Sequence, residues 1–180
     1  MANTFAIDNI PYHPSPNADE RPVGVEVNLL VIHGISLPPR EFGGDAIDQL
    51  FMNKLDFEAH PYFQAINNLH VSTHVLIRRD GSMIQYVPFS KRAWHAGQSS
   101  FAEKKNCNDF SIGIELEGAD DIPYTTPQYQ QLALLTKTLM VQYPALTTER
   151  IVGHSDIAPG RKTDPGPAFS WNYYRRLLET

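Results

Sequence analysis

The chain has 180 residues, 42% of them hydrophobic and 19% charged, with a formal net charge of −5. That length suits one domain able to bury a core without staples, and the acidic balance excludes a polyanion-binding surface, because the nearest approach to a basic patch is Lys104-Lys105. Cys107 is the single cysteine, so no internal disulfide framework is possible and a reducing compartment is expected.

The first charged residue after Met1 is Asp8 and a proline-rich stretch follows, which does not read as a cleaved signal. No apolar run approaches the roughly 18–20 residues of a membrane-spanning helix, so a cytoplasmic chain with no membrane partner is expected. Residues 1–25 lack periodicity and read as an extended arm, with residues 26–180 forming the domain.

Residues 27–33, Val-Asn-Leu-Leu-Val-Ile-His, read as a buried strand apolar on both faces, with His33 at its C-terminal end, a usual location for a site in a mixed sheet. Pro-Pro and Gly-Gly pairs make residues 37–44 a loop. Ile47, Leu50 and Phe51 then fall at helical spacing, and Pro61 opens a second short helix carrying Phe63, Ile66 and Leu69. Residues 74–87 predict a hairpin turning at Asp80-Gly81. Residues 111–117 alternate Ile112, Ile114 and Leu116 against Ser111, Gly113, Glu115 and Glu117, a strand with one apolar face. Thr126-Pro127 starts the longest helix, with an apolar stripe at Tyr129, Leu132, Leu135, Leu139 and Tyr143 and a stop at Pro144. A brief strand at Ile151-Val152 leads into the His154 stretch, and a helix over residues 171–178 closes the chain. The expected fold is a single α/β domain with a mixed central sheet flanked by helices.

Residues 153–169 are too rich in Pro and Gly for a helix and bring His154, Lys162 and Asp164 into one loop. His33 is either a strand-end imidazole bonded to a backbone carbonyl or a metal ligand; His154 and Asp164 are either a turn with an Asx bond or two further ligands. Glu115 and Glu117 share a strand face, which points either to a solvent-facing edge strand or to a general base beside a metal-bound water. Lys162 is either a solvated loop lysine or a charge that steadies an oxyanion. Trp94-His95 offers a stacking wall for a sugar or a core Trp beside a satisfied His. Cys107 with His95 or His154 would make a thiol hydrolase, although no helix start or small-residue pattern surrounds it.

Six segments carry a resemblance: residues 29–33, 35–39, 41–44, the Arg-Ala-Trp-His-Ala-Gly of 92–97, the Cys-Asn-Asp-Phe-Ser-Ile-Gly-Ile-Glu-Leu-Glu-Gly of 107–118, and the Arg-Lys-Thr-Asp-Pro-Gly of 161–166. Together they closely resemble the 1,6-anhydro-N-acetylmuramyl-L-alanine amidases of AmpD type, from about Pro14 to Trp171. These lie inside the wider zinc amidase family that includes phage lysozyme-type amidases and peptidoglycan recognition proteins. The resemblance implies one zinc ion held by His33, His154 and Asp164, with Glu115 as proton acceptor and Lys162 as transition-state stabiliser. Three protein ligands leave a fourth position for water, whose pKa zinc lowers to about 7. The implied substrate is a muropeptide cut between the lactyl group of 1,6-anhydro-N-acetylmuramic acid and L-alanine in cell-wall recycling, with an effect on β-lactamase induction by analogy. A monomer is expected, and the rival reading is a non-catalytic module that recognises wall fragments. Departures from the type are Gly34, where Asn is usual, Ser155, where Cys is common, and Lys104-Lys105 in a stretch that often carries Arg. Phage-type members differ in turn, with Tyr at the position of Thr73 and Cys at that of Asp164. Gly34 and Trp94 are the residues that bear on substrate contact.

Overall fold

The structure, a computed structural model, describes residues 10–180. Its strands are β1 (Ala18–Glu20), β2 (Leu29–Ile35), β3 (Val75–Ile77), β4 (Met83–Gln85), β5 (Lys91–Ala93), β6 (Ser100–Phe101), β7 (Lys104–Lys105), β8 (Ser111–Glu117) and β9 (Ile151–Gly153); its helices are α1 (Ala46–Phe51), α2 (Pro61–Ala65), α3 (Thr126–Gln142), α4 (His154–Ile157) and α5 (Trp171–Glu179). Five strands form the central sheet in the order β4-β3-β8-β2-β9. β8 pairs in parallel with both β2 and β3, β9 lies parallel to β2, and β3-β4 is the antiparallel hairpin. The register sets His33 opposite Glu115 and Ile35 opposite Glu117.

The alternation along the strands divides the two faces. Leu30, Ile32, Val75, Ile77, Ile112, Ile114 and Leu116 are buried together with Tyr129, Leu132, Leu135 and Leu139 of α3 and Tyr174 of α5. Each such aliphatic or aromatic burial contributes roughly 1.5–3 kcal/mol. α3 starts in a capping box: the Thr125 hydroxyl accepts from Gln128 N–H while the Gln128 amide oxygen accepts from Thr125 N–H. On the other face Ile47, Leu50 and Phe51 of α1 and Phe63 of α2 bury against Leu76, Tyr86 and Val87. α2 ends at Ala65, short of the predicted Ile66 and Leu69, which follow in turns.

Residues 1–9 of the expected arm lie outside the described residues. Residues 10–25 run along the fold: Tyr12 bridges to Gln85, Ser15 N–H donates to Tyr86 O at 3.0 Å, and β1 pairs with β5. The Arg21 guanidinium donates to the carbonyls of Phe89, Asn108, Asp109 and Ser111 at 2.8–3.2 Å. Burial lowers its pKa to about 10, which leaves it charged at neutral pH. Among the described residues, no helix is long and apolar enough to cross a membrane.

Two expectations are corrected. β8 is the central strand of the sheet and not a solvent-facing edge. Glu117 on it is 2% exposed and accepts from Gly43 N–H at 2.6 Å, Arg79 N–H at 3.2 Å and Arg78 Nη1 at 3.1 Å. A buried carboxylate with three donors is satisfied. The stretch after β9 is not all loop either. Residues 154–157 form a helical turn, because the prolines come only at 159, 165 and 167 and Asp156 Oδ2 accepts the Gly153 N–H at 2.7 Å.

Candidate active site

The C-terminal ends of three adjacent parallel strands converge: β8 carries Glu115, β2 carries His33, and β9 runs directly into His154. Asp164 reaches the same point from the following loop, whose backbone is tied back by Ser155 N–H donating to Asp164 O at 3.0 Å. His33 Nδ1 lies 3.0 Å from His154 Nδ1 and 3.3 Å from Asp164 Oδ2, which is 3.1 Å from His154 Nδ1. The candidate ligand atoms of the three residues all fall within 4.8 Å of one another.

Each imidazole is held from behind. His154 Nε2 donates to the Ala96 carbonyl at 3.2 Å, which leaves its Nδ1 facing Asp164 Oδ2 at 3.1 Å. His33 Nε2 lies 2.9 Å from His95 Nδ1, and His95 Nε2 lies 3.0 Å from Ser111 Oγ. His95 enters the sheet face because Gly113 has no side chain; a Cβ there would overlap the imidazole. When His33 offers its Nδ1 lone pair, its Nε2–H donates to His95, whose own Nε2–H then donates to Ser111. Such outer bonds orient metal-ligating histidines. Burial lowers the pKa of His33 to about 4, against the opposing pull of Asp164, so the ring is neutral near pH 7. Burial raises the Asp164 carboxyl, but the hydrogen bonds and charges of His154 and His33 outweigh it and hold the group well below the usual range. Two imidazole nitrogens and a carboxylate oxygen in contact repel one another unless a proton or cation sits between them. The donor set fits a divalent zinc ion, with His nitrogens and one Asp oxygen as ligands.

Glu115 stands beside this trio, with Oε1 3.9 Å from His33 Nδ1 and Oε2 buried without a hydrogen-bond partner among the described residues. Burial, reinforced by Asp164 and offset by Lys162, pushes its pKa well above the carboxylate range. Lys162 is exposed on the wall of the cleft, its backbone N–H donating to Ala158 O at 3.0 Å. The cleft has a volume of about 520 Å³ and is lined by Gly34, Glu115, His154, Lys162, Asp164 and His95, with Arg40 and Asp121 among its other residues. Arg40 and Asp121 form an exposed ion pair of 2.5 Å.

The other sequence candidates lie outside the trio. Trp94 is half-buried and not among the cleft residues; its side chain lies near Asp19 and helps Arg92 hold that carboxyl below its usual pKa. Gly34 lines the cleft, and the space where its Cβ would stand is filled by the Tyr124 hydroxyl. Cys107 is fully buried with Leu29, Val31, Phe110 and Ile157, and burial pushes its thiol up, the wrong direction for a nucleophile. Sequence reasoning missed Tyr124, and it named His95 only as a neighbour of Trp94 or a partner for Cys107, not as the support behind His33. The signals for His95 and Tyr124 were the glycines that admit them, Gly113 in mid-strand and Gly34 beside His33.

A mixed sheet whose parallel strand ends gather two imidazoles, a carboxylate and a further unpartnered carboxylate oxygen is an arrangement suited to metal-assisted hydrolysis. A family profile described as N-acetylmuramoyl-L-alanine amidase matches residues 23–167, and the chain belongs to that family. It is 58% identical over 165 residues to the 1,6-anhydro-N-acetylmuramyl-L-alanine amidase AmpD of Salmonella typhimurium (strain SL1344), covering 92% of this chain and 88% of that protein. The crystal structure of a selenomethionine derivative of AmpD matches with a TM-score of 0.95 and 54% identity, over 99% of each chain. The N-acetylmuramyl-L-alanine amidase AmiD from E. coli, in complex with the substrate anhydro-N-acetylmuramic acid-L-Ala-D-gamma-Glu-L-Lys, matches with a TM-score of 0.61 and 29% identity, over 88% of this chain and 60% of that one.

Proposed function

We propose that this protein hydrolyses the amide between the lactyl group of 1,6-anhydro-N-acetylmuramic acid and L-alanine in muropeptides, as a zinc-dependent amidase of cytoplasmic cell-wall recycling. The observation that carries this reading is the buried His33–His154–Asp164 trio at the cleft, with a Glu115 oxygen that has no other partner. The name of the Salmonella relative and the substrate bound by AmiD supply the chemistry of the bond.

His33, His154 and Asp164 would hold the ion. Zinc, when bound there, supplies Lewis acidity and makes water a usable nucleophile near neutral pH. Glu115 accepts a proton from the attacking water and returns it to the L-alanine nitrogen as the C–N bond breaks, so the products are the lactyl carboxylate and a free amine. Lys162 on the cleft wall faces the negative charge that develops on the carbonyl oxygen. His95 and the Ala96 carbonyl keep both imidazoles turned toward the ion.

The test is hydrolysis of an anhydro-muramyl tripeptide followed by mass spectrometry, run on metal-free protein, zinc-restored protein and Asp164→Ala. Zinc should restore cleavage at the lactyl–alanine bond, and Asp164→Ala should remain inactive with zinc added. Zinc-loaded protein that binds the fragment and leaves it intact after prolonged incubation would replace the enzyme reading with a recognition module.

A further inference from the structure

Tyr124 precedes α3 and is 6% exposed, its ring packed edge-on against Phe169 at 5.6 Å and Tyr129 at 6.5 Å between centroids. Two glycines admit it. A Cβ on Gly34 would overlap the Tyr124 hydroxyl oxygen, and a Cβ on Gly118 would overlap the ring edge. The hydroxyl that fills the slot donates to the carbonyl of Pro165 at 2.9 Å.

Gly34 directly follows His33, and Pro165 directly follows Asp164. The Tyr124 hydroxyl therefore sits between the backbones of two segments that each carry a candidate ligand. A direct tie between those segments, Gly34 N–H to Asp164 Oδ2, is 3.4 Å long, near the limit of a hydrogen bond. The Pro165 carbonyl bond is much the better formed. Pro165 is itself buried, so its carbonyl needs that donor.

We propose that Tyr124 is a positioning residue for the metal centre: its hydroxyl fixes the Pro165 carbonyl and so seats the Asp164 carboxylate against His33 and His154, and glycine at 34 and 118 leaves the room it needs. This role rests on the zinc reading of the trio. It assigns a function to a group that is not itself one of the candidate ligands. It also accounts for a glycine directly after His33, in the middle of the site, where a side chain would otherwise be free to contact substrate.

The geometry makes the test reciprocal. The Tyr124 ring carbon Cζ lies 3.5 Å from the point that a Cβ on Gly34 would occupy, an ordinary contact, so only the hydroxyl excludes a methyl group there. Four full-length proteins are compared: the parent, Tyr124→Phe, Gly34→Ala and the double variant. Zinc affinity is measured by competition with a chromophoric chelator, and the thermal midpoint is measured on each metal-free protein.

Tyr124→Phe should lower zinc affinity about tenfold, the scale of an outer-shell loss, and lower the metal-free midpoint by roughly 2–12 °C, the cost of leaving the buried Pro165 carbonyl without its donor. Gly34→Ala should lower both. The double variant should recover the midpoint toward that of Tyr124→Phe and keep its weak zinc binding. Tyr124→Phe affinity within twofold of the parent would reduce Tyr124 to a packing residue and overturn the proposal. So would a double variant no more stable than Gly34→Ala. A parent chain that takes up no zinc fails the underlying metal reading and the positioning role with it, an outcome distinct from the other two because the variants are then irrelevant to the result.

Discussion

Glu115 is a carboxylate placed where water does not reach one of its oxygens. Burial raises its pKa above the value of about 4.3 that it has in an unfolded chain. The sign of the linkage follows: the folded state binds the proton more tightly, so the stability it contributes is full below about pH 4 and is lost as pH rises through the raised folded value. Glu115→Gln removes that loss. The metal-free variant should be more stable than the metal-free parent at neutral pH, because it has no charge to bury. The difference should vanish near pH 4. Urea denaturation of both proteins between about pH 4 and 8 measures it, and equal stabilities at pH 7.5 would contradict it. Bound zinc places a positive charge beside the same carboxylate and reverses the effect, while turnover by the variant should fall with zinc retained.

Glu117, two residues along the same strand, shows how one pattern hides two functions. Its three donors come from the loop over residues 41–44 and from the β3-β4 turn, so it straps the cleft rim to the central strand. Glu117→Ala leaves Arg78, whose side chain is 14% exposed, without its partner. The expected cost is about 3 kcal/mol in urea denaturation, as for a broken buried pair, with zinc affinity unchanged because none of those bonds reaches the trio. The alternation of Ile112, Ile114 and Leu116 was sufficient to read β8 as a strand with one apolar face. It could not say what covered the other face, because that depends on residues about 40 and 74 positions away in sequence. Local signals did well where the cause was local: Thr126-Pro127 began α3, Asp80-Gly81 turned the hairpin with Gly81 at φ +88°, and Ile47, Leu50 and Phe51 are the buried face of α1. The His33, His154 and Asp164 candidates were legible from the strand end and the loop that carry them, each beside a structural alternative that the resemblance outweighed. The support that His95 gives His33, and Tyr124 altogether, were not, since an imidazole or phenol that fills the space above a distant glycine leaves no periodicity of its own.

For the molecule as a whole, the proposed metal site would link stability to zinc. His33 and His154 are 121 residues apart and meet only through the parallel pairing of β2 with β9. An unfolded chain offers them as separate weak ligands, so zinc should bind the folded state by a wide margin. With free zinc a thousandfold above its Kd, the added stability is about 4 kcal/mol, on the order of 10 °C in midpoint for a domain of this size. Calorimetry with and without zinc reads the shift, and the same midpoint in both would remove the linkage. The long separation also bears on synthesis. A nascent chain that has not yet emerged past β9 already carries His33 and Glu115 but has neither His154 nor Asp164 to complete the set. On the zinc reading, half-made or truncated copies would lack two of the three ligands, and metal uptake would mark that synthesis has run past the last strand.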